Sequence, residues 1–162
     1  MALHDLSVAL QDSALGQTIG GSAWLFPTLE TIHLFCLTTV LGSIAIVDLR
    51  LLGLAGGGEP ASVVLRRYTP FTWWAFLGAA ISGGLLFVSR AGAYTDLPVF
   101  YMKLGYMALA ALNMAYFHFF IEPTVAAWDR GPPATAARIA GGLSLLFWAS
   151  VVVCARQVGF HM

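Results

Sequence analysis

The chain has 162 residues, of which 59% are hydrophobic and 10% charged. A soluble domain carries about a quarter charged residues, so the polar cover of a water-exposed surface is missing, which excludes a disordered chain, a coiled coil and an ordinary cytosolic enzyme. Eight basic and eight acidic side chains give zero formal net charge, which excludes the basic footprint of a nucleic-acid-binding protein.

Residues 4–19 set Leu6, Leu10 and Leu15 at roughly helical spacing among Asp5, Gln11, Asp12 and Gln17. That pattern predicts a short amphipathic helix on the membrane surface. The first twenty residues hold no Lys or Arg, so a cleavable signal is not expected and the N-terminus is expected to be retained. Four uncharged runs follow: 17 residues between Glu30 and Asp48, 22 between Arg67 and Arg90, 18 between Lys103 and Glu122, and 17 between Arg138 and Arg156. A bilayer core of ~30 Å needs about 20 apolar residues in a helix. Each run is therefore a candidate transmembrane span.

The first span is expected to begin near Trp24 and Pro27 and to run past Asp48 to about Leu54, where Ala55-Gly56-Gly57-Gly58 ends it. Pro70 is expected to open the second span and Pro98 the third, Pro123 to close the third, and Gly131-Pro132-Pro133 to precede the fourth. The expected fold is all-α: an integral membrane four-helix bundle with a short N-terminal amphipathic surface helix. It forms a single transmembrane domain over 1–162, with the surface helix at about 4–19 and spans at about 24–54, 69–91, 98–122 and 135–158. Four spans put both termini on one side. The first and third connections and their flanks carry Arg50, Arg66, Arg67, Arg130 and Arg138, against Arg90, Lys103 and Arg156 at the other end. The positive-inside rule then turns both termini outward.

Ionisable groups inside a bilayer are costly and mark functional candidates. His33 follows Glu30 by three residues, and His118 precedes Glu122 by four, so each imidazole shares a helix face with a carboxylate. A carboxylate that takes the proton of one ring nitrogen leaves the other for a metal. The same spacing suits a purely structural His–Glu hydrogen bond. From Lys103 to His118 is ~22 Å of helix, so the two histidines are expected toward opposite membrane faces and not on one iron. Glu30-Thr31-Ile32-His33 is the one Glu-x-x-His, whereas a di-iron carboxylate site needs two. Two depths suit transmembrane electron transfer through b-type haem, each haem taking at least one axial histidine. Met114, with Met102 and Met107, is a candidate for the sixth position, as are His4, His161, Met162 or a second subunit near His33. Arg90 and Lys103 are candidates for haem propionates or an anionic lipid headgroup. Phe35, Phe117, Phe119 and Trp148 are expected to wall the pockets.

Asp48 is expected to pair with Arg66 or Arg67 at the interface, and Asn113 to bridge helices. Gly78, Ser82, Gly83, Gly84, Gly141 and Gly142 allow close helix packing, or room for a flat cofactor. Cys36 and Cys154 lie in apolar runs without a C-x-x-C and read as free buried thiols.

The run Trp24 to His33, Val47 to Leu54, Pro70-Phe71-Thr72-Trp73, Ser82 to Phe87, Asn113 through His118, and Ala126-Ala127-Trp128-Asp129 resemble a family of small four-helix bacterial inner-membrane proteins, known as a domain of unknown function. The resemblance covers nearly the whole chain and implies an inner-membrane location, which makes the outward termini periplasmic. A looser similarity reaches membrane proteins of the cytochrome b561 and copper-resistance D type. The former carry two haems near opposite faces, each held by a histidine pair, whereas this chain has one mid-helix histidine at each level. That departure implies haem shared in a dimer, methionine or open coordination, or no haem.

The leading expectation is a b-type haem protein for electron transfer, a carrier or redox subunit more than a stand-alone enzyme. His33 and His118 would be its ligands and Glu30 and Glu122 would orient them, in a homodimer or with a redox partner. One alternative is an outer-face copper or zinc site built from His33, Glu30 and His4 or His161. The other is a structural or assembly subunit without a cofactor.

Overall fold

The computed structural model describes residues 2–56 and 58–161; Gly57 and Met162, invoked above, lie outside the described residues. Those residues form helices and turns with no strand. Two short helices, α1 (Ala2–Gln11) and α2 (Ala14–Gly21), precede α3 (Leu25–Leu52) and α4 (Ala61–Ser89). The short α5 (Ala91–Thr95) leads to α6 (Pro98–Tyr116), and α7 (Thr135–Phe160) closes the bundle. Four segments are long and apolar enough to cross a membrane: Leu25–Leu52, Ala61–Ser89, Pro98–Ala127 and Thr135–Phe160. The chain is thus a multi-pass helical membrane protein by length and composition.

The expected surface helix is two helices. Ser13 breaks it and caps α2, its Oγ accepting from the Gly16 N–H at 3.2 Å. The pair packs over α5 and the end of α4 near the termini. Ser7 Oγ lies 2.9 Å from Thr95 Oγ1, and Gln11 accepts from the Gly92 N–H at 3.1 Å. Leu6 and Leu15 stay uncovered by protein, as an apolar face turned to lipid requires.

Three boundaries differ from the sequence expectation. α3 ends at Leu52, and Gly53 caps it in the left-handed region at φ 74°, so the later glycine run does not terminate it. α4 opens at Ala61, a turn and more before Pro70, which lies inside the helix. Its start is capped from a distant loop: Asp129 Oδ1 accepts from the Ser62 N–H at 2.7 Å, and the Asp129 carbonyl accepts from the Ala61 N–H at 2.9 Å. An acceptor borrowed from elsewhere satisfies orphan donors as well as a local one.

Pro123 does not close the third span either. The helix widens into a π turn over Phe117–Ile121 and tightens into a 3-10 turn over Glu122–Ala127. Proline lacks the N–H for the normal bond and its ring presses on the carbonyl four residues back. The wider turn relieves that conflict, and the Glu122 N–H reaches back to the Phe117 carbonyl. His118 therefore sits in the π turn, a geometry frequent at functional sites.

α3 packs along α4 and against α7, and α7 packs along α6. The helices run round as α4–α3–α7–α6, and among the described residues α4 and α6 barely meet. At the end far from the termini, Leu51, Ala61, Leu65, Phe117, Ile121, Val125, Ala137 and Ala140 form a packed cluster. Arg50 is buried there and ties the two far-end connections together. Its Nε donates to the Glu59 carbonyl and its Nη2 to the Asp129 carbonyl, each at 3.2 Å. Large apolar side chains such as Trp74, Leu112, Phe120 and Ile139 point outward, as they do where lipid is the solvent.

Candidate functional site

In the near half of the bundle, toward the termini, His33 is part of the α3–α4 contact. His33 Nδ1 lies 3.1 Å from Ser82 Oγ across the α3–α4 contact. Ser82 in turn donates to the Gly78 carbonyl at 2.7 Å. The His33 ring lies against Gly83, where an added Cβ would meet Cε1 at 2.8 Å. Gly78 and Gly83 of α4 thus serve close packing against Cys36 and His33, whereas Gly84 meets nothing within 4 Å. Cys36 and Cys154 are free.

Glu30 is exposed and takes no hydrogen bond from His33, so this half of the expected His–Glu pairing is corrected: the imidazole turns to the neighbouring helix instead. The Arg90 guanidinium stacks 4.5 Å from the Phe26 ring, and Lys103 Nζ lies 5.9 Å from that of Phe100. Neither cation lines a cavity described below. His4 Nδ1 meets Asp96 at 3.1 Å, and His161 Nδ1 meets the Gln157 carbonyl at 2.8 Å. Among the described residues no group of three His, Cys, Asp or Glu is arranged to hold a metal ion. The residues of the copper or zinc alternative are not gathered into one site.

The far half holds two cavities beside its packed cluster. A cavity of about 260 Å³ lies between α4 and α6, walled by Thr72, Trp73 and Phe76 on one side and by Met107, Ala111, Met114, His118 and Phe119 on the other, with Trp148 of α7 behind. Trp73 and Phe119 on its rim are exposed, so it opens sideways, toward where acyl chains would lie. His118 is half-exposed, and its Nδ1 lies 2.5 Å from Glu122 Oε2. This second expected His–Glu pair does form. One helical turn separates the partners, and Glu122 is fixed where the π turn gives way to the 3-10 turn. Phe117 and Trp148 border cavities as expected, while Phe35 faces outward and borders neither.

A second cavity, about 80 Å³, adjoins the first, and Ile44, Thr72, Met114, His118 and Trp148 border both. Asp48, Thr69, Asn113 and Ser144 complete its polar lining. Asp48 is 5% exposed, and its Oδ2 is buried without a hydrogen-bond partner. The expected pairing of Asp48 with Arg66 or Arg67 is corrected. Arg67 pairs with Glu59 at 3.1 Å, and Asp48 points into the bundle, where α7 comes close enough for Gly141 to touch its carbonyl. Asn113 does bridge helices, its Nδ2 donating to the Ala140 carbonyl at 2.9 Å. Thr72 Oγ1 lies 2.7 Å from Ser43 Oγ.

The levels can be compared along α4. His33 meets Ser82, whereas His118 shares a cavity with Thr72. Ten residues of helix make about 15 Å, so the histidines cannot flank one iron. The polar lining of Thr69, Thr72 and Ser144 was not singled out from sequence. The available signal was a set of hydroxyl residues within apolar spans. No protein-family model, curated protein or solved structure matches the chain.

Proposed function

We propose that the chain holds one b-type haem in the cleft between α4 and α6, with His118 as its axial ligand, and works as a membrane-embedded electron carrier. The observation that carries this reading is the His118–Glu122 pair on the wall of an apolar cleft. Glu122 holds the Nδ1 proton, fixing the tautomer and leaving Nε2 as the basic nitrogen. The cleft of about 260 Å³ lies just under the ~300–1,000 Å³ of ordinary ligand pockets. Its open side lets a larger flat group extend past the rim. Bound haem supplies one-electron chemistry, tuned by the axial ligand, its hydrogen bond and burial.

Trp73, Phe76, Phe119 and Trp148 exclude water from the cleft. The α4 wall facing His118 offers Thr72, Trp73 and Phe76 and no sulfur or imidazole. Met107 and Met114 stand on the His118 wall itself. Open coordination, or a ligand from a second copy in a homodimer, follows from that arrangement. His33 is outside this reading because it borders neither cavity. A porphyrin needs one protein ligand, whereas a bare zinc site needs three or four, which favours haem over copper or zinc. The arginine distribution and the resemblance of the motifs support a bacterial inner-membrane location with periplasmic termini.

The test is an optical spectrum of detergent-purified protein from a haem-replete host, with a pyridine haemochrome assay for stoichiometry. The expected result is one haem per chain, lost in His118→Ala and kept in His33→Ala. Protein that stays colourless after haem addition overturns the reading and leaves the structural-subunit alternative.

A further inference from the structure

The buried Oδ2 of Asp48, without a hydrogen-bond partner, makes a demand of its own. An ionised carboxylate stripped of water and lacking a partner is too costly to persist, so it takes a proton or a counter-cation. Among the described residues, no Lys or Arg lines the cavity. On α3, the Arg50 guanidinium is committed to the Glu59 and Asp129 carbonyls. α4 presents Leu65, Thr69 and Thr72, and α7 presents Ala140, Ser144 and Trp148. α6 presents one titratable group, His118, whose Nδ1 is engaged by Glu122.

The polar groups that share the cavity with Asp48 are mainly oxygens, set among apolar walls. Asn113 spends its Nδ2 on the Ala140 carbonyl, leaving Oδ1 as an acceptor on a residue that lines the cavity. Thr69, Thr72 and Ser144 add hydroxyls. A carboxylate, an amide oxygen and hydroxyls make a hard donor set suited to small hard cations, while the softer Met114 thioether and His118 imidazole lie where the cavity meets the cleft. The cavity of about 80 Å³ exceeds the ~10–15 Å³ that one water-sized sphere occupies. A small ion fits there.

We infer that the Asp48 cavity is an exchangeable binding site for a small monovalent cation, a proton or sodium, held by Asp48 with Asn113, Ser144 and the α4 threonines. Exchange would pass His118, Thr72 and Met114, which border both this cavity and the open cleft.

The two cation sources are separable by infrared spectroscopy of the full chain in lipid nanodiscs, with the aspartate carboxyl carbons isotope-labelled. Asp5, Asp12 and Asp96 are exposed, and Asp129 is partly so. The Asp48 signal is assigned by its loss from the labelled bands in both Asp48→Glu and Asp48→Asn. A protonated-acid band at neutral pH, insensitive to replacing choline by sodium, identifies the proton. Carboxylate bands that shift on sodium titration, but not with choline, identify sodium. Carboxylate bands at neutral pH that ignore sodium show a bare ion and overturn the inference. The labelled wild-type protein alone reads this last outcome, because an exposed carboxylate set with no buried acid and no sodium response is sufficient, even if both variants fail to fold.

Discussion

His33 and His118 look alike along the chain, each with a glutamate one helical turn away, yet their surroundings are opposite. In the near half of the bundle His33 is packed between helices, bonded to Ser82 and seated on Gly83. The far half is left open: His118 is bonded to its own glutamate and stands beside two cavities. Small residues make the difference in one case and a proline in the other. Gly83 lets α3 and α4 approach until the imidazole is part of the packing. Pro123 forces the π turn that carries His118, on the α6 wall of the cleft. Spacing between a histidine and a carboxylate therefore says what can pair, while the neighbouring helix decides whether it does.

The contrast can be broken most strongly at Gly83. Leucine there should collide with the His33 ring and push α3 from α4, costing about 1–3 kcal/mol as overpacked cores do. Thermal unfolding in detergent should register the loss; unchanged stability would mean the near half is not tightly packed. A milder break is Ser82→Ala, which removes the hydroxyl facing His33. Interhelical hydrogen bonds in membranes average about 0.6 kcal/mol, so a small fall in midpoint with an unaltered fold is expected. A loss several times larger would show that His33 depends on Ser82 for more than one bond.

The complementary change fills the far half. Ala111→Leu adds volume on the exposed α6 wall of the cleft. Stability should move by no more than about 0.5 kcal/mol, the range of ordinary surface substitutions, while haem content falls. A stability loss matching Gly83→Leu would erase the distinction between the halves.

The smallest effect is confined to acid. The Ser62 backbone N–H, then its hydroxyl, holds the Asp129 carboxyl below the usual aspartate range. A depressed folded-state value means this stabilisation is complete above the unfolded value, about 3.9, and disappears as pH falls through the folded one. Wild-type melting temperature should therefore drop with acidification in that window, and Asp129→Asn should flatten the drop. Identical acid profiles for the two proteins would remove Asp129 from the account of the α4 cap.

Much of the architecture was readable in advance. The four runs between charged residues coincide with the four long apolar helices, Pro98 opens α6, and Gly131-Pro132-Pro133 precedes α7. Proline position misled twice, because a proline in a long buried helix is tolerated when the whole segment is held by its neighbours. The α4 start was illegible because its cap, Asp129, is 67 residues away in the chain. The pairing of His118 with Glu122 was legible because both lie on one helix, where spacing alone fixes the face.

Hydropathy is a property of each segment by itself, and a bilayer reads it segment by segment. That is why the number, length and helical nature of the spans follow from 162 residues without any partner. How the spans face one another is a different quantity, set by side-chain volumes and hydrogen bonds between residues far apart in the chain. Asp48 shows the distance between the two. Two residues from Arg50, it reads as one more interfacial charge, and only the rotation of α3 against α6 and α7 turns its carboxylate inward beside Asn113 and Ser144.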